Sequence, residues 1–121
     1  MKKIALIALM LVIMTSATTR RTRELNSTWY SVEYFKGKRT ADGTVVRSSS
    51  QRIVALSSDM FNKGFKMGDK IHVVSKHDLI INGVWTVRDK TGGGRTNHID
   101  FLLNKREGRG FHNSKVTVTK I

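Results

Sequence analysis

Beyond Asn26 the apolar residues recur with a period of two in short runs, each broken within a few residues by Gly, Asn, Asp or Ser. That alternation sends neighbouring side chains to opposite faces and is the signature of half-buried β-strands. Six runs carry it: STWYSVEYF (27–35), RIVALS (52–57), KIHVVS (70–75), GVWTVRD (83–89), HIDFLL (98–103) and SKVTVTK (114–120). Between the second and third, Ser58 is placed to cap a single helical turn that stops at Gly64. The links KHDLIING and KTGGGRTN read as loops, in which Leu79 to Ile81 could add a few strand residues. No repeat and no low-complexity segment interrupts the pattern. Six short strands with one helical turn predict an all-β domain closed into a small barrel, because closure removes exposed sheet edges.

The alternation also nominates a core. Trp85 and Val87 share one face of the fourth run, and Asp89 falls on the same face by simple counting. Ile99, Phe101 and Leu103 point inward from the fifth run, with His98 and Asp100 on its other face. Val116 and Val118 complete the expected core. Trp29 and Tyr30 are neighbours on one strand, so one is expected inside and one free. The two aspartates flank a loop with three successive glycines, Gly92 to Gly94, whose backbone a bulky ligand can approach closely.

The chain has 121 residues, enough for one domain with a modest core. It contains no cysteine, which excludes disulfides, a thiol nucleophile and thiolate metal sites. Lysine and arginine number 22 against 9 acids, a net charge of +13, so the partner expected is a polyanion. The opening MKKIALIALMLVIMTSATT has two lysines, an apolar run and then small residues, the order of a secretory signal. A signal peptide over 1–17 with cleavage after Ala17 is the reading, followed by a linker over 18–26 and a domain over 27–121. The apolar run is short for a permanent span, and an uncleaved anchor is the rival. Without Lys2 and Lys3 the charge is still +11. A secreted or periplasmic, wall-associated monomer is therefore expected, with no nucleic acid partner and no stable membrane span.

Several site chemistries fail on spacing. The glycine loop lacks the Lys-Ser/Thr ending of a phosphate-binding loop and the spacing of a dinucleotide fingerprint. The four histidines offer no paired-ligand helix, and only the HID tripeptide brings two candidate ligands together, so neither a metal nor a cofactor is expected. Ser57 and Ser58 lack a nucleophile elbow. Asp89 and Asp100 remain, either as turn-capping acids or as a working pair.

The segments STWYS, TADGT, IVALSSDMF, MGDKIHVV, GVWTVRDKTGG and TNHIDFLL together resemble the three-aspartate (3D) domain. That family is a six-stranded double-psi β-barrel, shared with MltA-type lytic transglycosylases and similar in outline to RlpA-like and expansin barrels. The likeness runs from Ser27 to Ile121. It implies cleavage of the peptidoglycan glycan strand between MurNAc and GlcNAc with formation of a 1,6-anhydro ring. By position, Asp100 matches the single acid/base and Asp89 its supporting aspartate, whose like charge is expected to raise a neighbouring pKa. Tyr30, Thr91, Gly92, Gly93, Arg95, Asn97 and His98 are the residues then expected to contact substrate. Ser57 stands where the family has its first aspartate, and Asp59, two residues on, is the candidate third acid. The alternative is a barrel that binds or loosens the wall without turnover.

Overall fold

The computed structural model describes residues 22–121. The expected signal segment and residues 18–21 lie outside that range. All six runs form strands: β1 (Thr22–Ser31), β2 (Ile53–Leu56), β3 (Lys70–Val74), β4 (Gly83–Lys90), β5 (His98–Leu103) and β6 (Val116–Lys120). They close into one barrel in the order β1-β5-β2-β4-β3-β6. β1 lies parallel to β5 and β2 parallel to β4, and the remaining neighbours are antiparallel. This is the closed six-stranded barrel that the strand pattern predicts, the architecture that the resemblance implies.

Four details differ from the sequence reading. β1 begins inside the stretch read as a linker, because Thr22, Arg23, Glu24 and Leu25 pair with β6 and close the barrel. Only Leu25 of these four is apolar, so alternation gave no signal. The VEYF end of the first run is not strand but a helical turn, α1 (Val32–Phe35). The Ser31 hydroxyl caps it by accepting from the Tyr34 amide at 3.3 Å. The expected turn after β2 exists as α2 (Ser58–Asn62), but its N-cap position is Ser57, not Ser58. Leu79–Ile81 forms a 3-10 turn rather than strand. A further turn, α3 (Lys105–Gly108), is fixed by a capping box between Asn104 and Glu107.

The barrel interior holds the expected core. Trp85, Val87, Ile99, Phe101, Val116 and Val118 are all essentially inaccessible. The Trp85 and Phe101 rings meet edge to face with centroids 5.0 Å apart. The Trp85 indole N–H donates to the Ile81 carbonyl at 2.8 Å, so its burial leaves no donor unpaired. Trp29 and Tyr30 are both half-buried, and neither is wholly core nor wholly free. Trp29 packs on the interior cluster and Tyr30 on a second one outside the wall.

That second cluster decides where a ligand fits. Val32, Val46, Ile53 and Leu102, with Tyr30 and Phe35, pack between the barrel's outer face and the segment joining β1 to β2. β2 is therefore buried on both faces, and so is most of β5. The segment doubles back as a hairpin, with Val46 N donating to Lys38 O and Gly37 N donating to Val46 O. It forms a roof over one wall of the barrel. Removing the Phe101 ring leaves a cavity at the centre of the interior, and Phe101→Ala is expected to cost ~3–5 kcal/mol. A denaturant titration of the two proteins checks this.

Candidate functional site

The register between β2 and β4 slips by one residue. Val54 pairs with Val87, but Ala55 pairs with Asp89, leaving Arg88 as an extra residue. This β-bulge turns Asp89 away from the face of Trp85 and Val87, where unbroken alternation had put it. Ala55 pairs on its other side with Asp100, and Asp100 pairs in turn with Thr28. Paired residues project to the same side of a sheet. Thr28, Asp100, Ala55 and Asp89 thus form one row across four strands on the outer face. The single methyl of Ala55 leaves open space between the two acids.

The roof hairpin locks the bulge in place. Asp42 N donates to the carbonyl of Arg88 at 3.2 Å, and the Arg88 guanidinium pairs with the Asp42 carboxylate at 3.2 Å. The Ala41 amide donates to Asp89 Oδ1 at 3.0 Å, and the Lys90 amide donates to the same oxygen at 2.9 Å. Roof and wall enclose a cleft of about 330 Å³. Tyr30, Phe35, Val46 and Ala55 line its floor and sides with Asp89 and Asp100. Lys38, Arg39, Thr40, Lys90, Thr91 and Gly92 supply the rest. Two acids therefore sit in a cleft edged by three cations.

The sequence-derived site residues divide. Tyr30, Asp89, Thr91, Gly92 and Asp100 come together in the cleft. Gly93 lies in the loop beyond it, where it and Gly94 adopt φ of 72° and 68°, a left-handed pair that favours glycine. Asn97 turns to the other side of the loop, where its amide N–H donates to Asp59 and its side chain accepts from Lys63. Asp59 is occupied there with Lys63 and Asn97 and is not among the cleft-lining residues. His98 is buried behind Thr28, with Arg95 beside it. Ser57 holds this corner by accepting the His98 amide at 3.0 Å. Thr28, Ala55 and the roof residues Lys38, Arg39 and Thr40 were not picked out by spacing. Thr28, Ala55 and Thr40 fall within the resembling segments STWYS, IVALSSDMF and TADGT, but nothing marked them as site residues.

Burial is the largest influence on Asp100 and pushes its carboxyl above the usual aspartate range. The Thr28 hydroxyl and the Arg95 charge oppose this, and Asp89 adds a smaller upward push. The like charge expected to tune Asp100 is thus present but secondary to desolvation. Burial together with Asp89 and Asp100 drives the Tyr30 phenol far up, so Tyr30 stays a donor, its hydroxyl 3.5 Å from Asp89 Oδ2. Burial and the neighbouring Arg95 lower His98, which favours its neutral ring. Among the described residues no group of three or more His, Cys, Asp or Glu is arranged to hold a metal.

A larger groove of about 620 Å³ lies beyond the opposite end of β4, lined by His77, Asp78, Leu79, Ile80, Phe111 and His112 among others. Its buried acid, Asp78, is taken up by the backbone and ring N–H of His112. In the smaller cleft Asp89 and Asp100 both stand among the lining residues.

Fold and site together define the class: a closed six-stranded barrel with a row of side chains that includes two acids under a basic roof. No protein-family model matches the sequence, and no curated protein matches it. Solved structures do. An expansin from Clavibacter michiganensis superposes with a TM-score of 0.58 at 17% identity. A point mutant of that expansin in complex with cellohexaose gives 0.60 at 15% identity. Each match covers 83% of this chain and 50% of the expansin, so the chain spans half the length of those proteins. A Streptomyces papain inhibitor gives 0.54 at 23% identity, covering 82% of this chain and 94% of the inhibitor. At such identities the likeness is one of fold.

Because folding raises the Asp100 pKa, the folded state holds more protons than the unfolded state between ~3.9 and the native value. Stability therefore falls as pH rises through that window. Asp100→Asn removes the cost of a buried charge. The variant is expected to melt higher than wild type at pH 7, with the gap closing below pH ~3.9. Thermal melts of both proteins at the two pH values check the sign.

Proposed function

We propose that this protein is an exported, wall-associated barrel that binds a polysaccharide strand in the cleft beneath the 35–46 roof, with Asp100 facing the strand. The observation that carries the reading is the convergence of Asp89 and Asp100 across Ala55 in one cleft. A pure polyanion binder has no use for two acids there, since they repel the ligand that its cations attract. Cellohexaose in the expansin complex is a β-1,4-linked glycan, and peptidoglycan strands carry the same linkage. The basic surface, +11 without the two leading lysines, favours the anionic polymer of the two.

Turnover is the further reading, favoured by the state of Asp100. A carboxyl whose pKa is raised by burial keeps a proton to give at higher pH than an exposed one. Protonation of the glycosidic oxygen by Asp100 lets the MurNAc C1–O bond break with release of the GlcNAc hydroxyl, and the MurNAc 6-oxygen bonds to C1 as it gives its proton to the same carboxylate, which closes a 1,6-anhydro ring. No water and no second catalytic carboxylate enters that sequence. Asp89, anchored by two amides, and the Tyr30 hydroxyl shape the cleft wall opposite.

Sedimentation of residues 18–121 with purified sacculi is expected to show binding that weakens steeply with salt, as the screening length falls from ~10 Å at 0.1 M to ~3 Å at 1 M. Asp100→Asn is expected to retain this binding and to lose ~10²–10⁴-fold of any 1,6-anhydro muropeptide release. Release by the wild type is expected to decline as pH rises and to be indifferent to EDTA. Binding without release, at every pH, leaves the wall-binding reading and removes the enzymatic one. Absence of binding removes both.

A further inference from the structure

Behind Asp100 the hydrogen-bonding capacities of three side chains fix a direction. Thr28 Oγ1 lies 2.9 Å from Asp100 Oδ1, 2.7 Å from His98 Nε2 and 3.3 Å from Arg95 Nη1. An ionised carboxylate only accepts, so the single hydroxyl proton of Thr28 goes to Asp100. The hydroxyl then has two lone pairs left and no further proton. Arg95 only donates and takes one of them. The other is filled when Nε2 of His98, 2.7 Å away, carries the ring proton and donates to it. The rival tautomer would leave a lone pair at Nε2 facing a hydroxyl oxygen that has no proton to offer it. Its one favourable partner would be Arg95 Nη1, 3.2 Å away.

We propose that His98 and Thr28 are positioning residues that direct a one-way chain, His98 Nε2–H to Thr28 to Asp100 Oδ1, and thereby keep the acidic proton of Asp100 on Oδ2. Oδ1 is already accepting from Thr28 when a proton arrives. Among the described residues no protein donor reaches Oδ2, and it is not one of the buried polar atoms left unpartnered. Asp100 lines the cleft, so the oxygen left free is the one from which a ligand can take the proton. The other groups facing Asp100 leave this order intact. Tyr30 on β1 holds its own proton, Asp89 on β4 is engaged by the amides of Ala41 and Lys90, and Lys38, Arg39 and Lys90 edge the cleft as donors only. Ser57 meets His98 through its backbone amide and does not touch the ring assignment. The burial and the adjacent Arg95 that depress His98 favour its neutral ring, the state in which the two tautomers are distinct.

The inference rests on Asp100 serving as the acid of the proposed function, but its test needs no substrate. Long-range proton–nitrogen NMR spectra of the histidine rings report the tautomer of His98, and carbon-detected spectra report the ionisation of Asp100. In the wild type His98 is expected as the Nε2–H tautomer wherever it is neutral, on both sides of the Asp100 midpoint. Thr28→Val removes the hydroxyl at nearly constant shape. It is expected to move the Asp100 midpoint to higher pH, since the ionised form loses a donor, and to turn His98 to the Nδ1–H tautomer with Arg95 donating to Nε2. Thr28→Ser restores both. A neutral wild-type His98 found as Nδ1–H, or a tautomer that flips as Asp100 titrates, overturns the chain. So does an Asp100 midpoint that does not rise in Thr28→Val. These results stand whether or not the protein binds or cleaves a glycan, so failure of the chain and failure of the functional reading are separable.

Discussion

Everything in the candidate site depends on one extra residue. Had β4 continued in register past Val87, Asp89 would point into the barrel with Trp85, where a carboxylate without a partner costs several kcal/mol. The bulge at Arg88 reverses its direction and aligns it with Asp100 across Ala55. A bulge disrupts the ladder locally, and here the roof hairpin compensates. The Arg88 carbonyl is taken by Asp42 N, its guanidinium by the Asp42 carboxylate, and Asp89 by the Ala41 amide. The hairpin that forms the top of the cleft is thus the element that aims one of its acids.

The same roof explains the electrostatics. By packing Val32, Val46 and Phe35 on the outer face beside Ile53 and Leu102, it withdraws Asp100 from water on a surface that would otherwise be open. Desolvation then holds the Asp100 carboxyl toward its neutral form, while Lys38, Arg39 and Lys90 remain at the edge. Acids inside and cations outside suit a polymer that is anionic along its length and polar at the linkage under the roof.

How far this was legible in the sequence follows from what each feature obeys. The strands obey a period of two, and their apolar faces are regular enough that the interior from Trp85 to Val118 could be read directly. The barrel start could not, because Thr22 to Glu24 pair through the backbone with side chains that carry no apolar pattern. Counting alternate residues assumes a constant register, so it put Asp89 on the wrong face. A bulge leaves no compositional trace at Arg88. The roof was invisible for a related reason: KGKRTADGT reads as a solvated basic loop, and only its turn chemistry around Asp42 and Gly43 hinted at a fixed hairpin. The link from His98 to Asp100 through Thr28 joins residues about 70 positions apart, which spacing within one motif cannot reveal.

The central claim is that a glycan lies in the cleft made by the bulge and the roof, and not in the larger groove around His112. Titration of the labelled protein with a soluble peptidoglycan glycan fragment, followed by amide chemical shifts, tests it most directly. The account predicts shifts concentrated at Tyr30, Lys38 to Ala41, Asp89 to Gly92 and Asp100, with His77, Leu79 and His112 unmoved. Shifts centred on the His77–His112 groove, or scattered over the basic surface with the Asp89–Asp100 row silent, would contradict it.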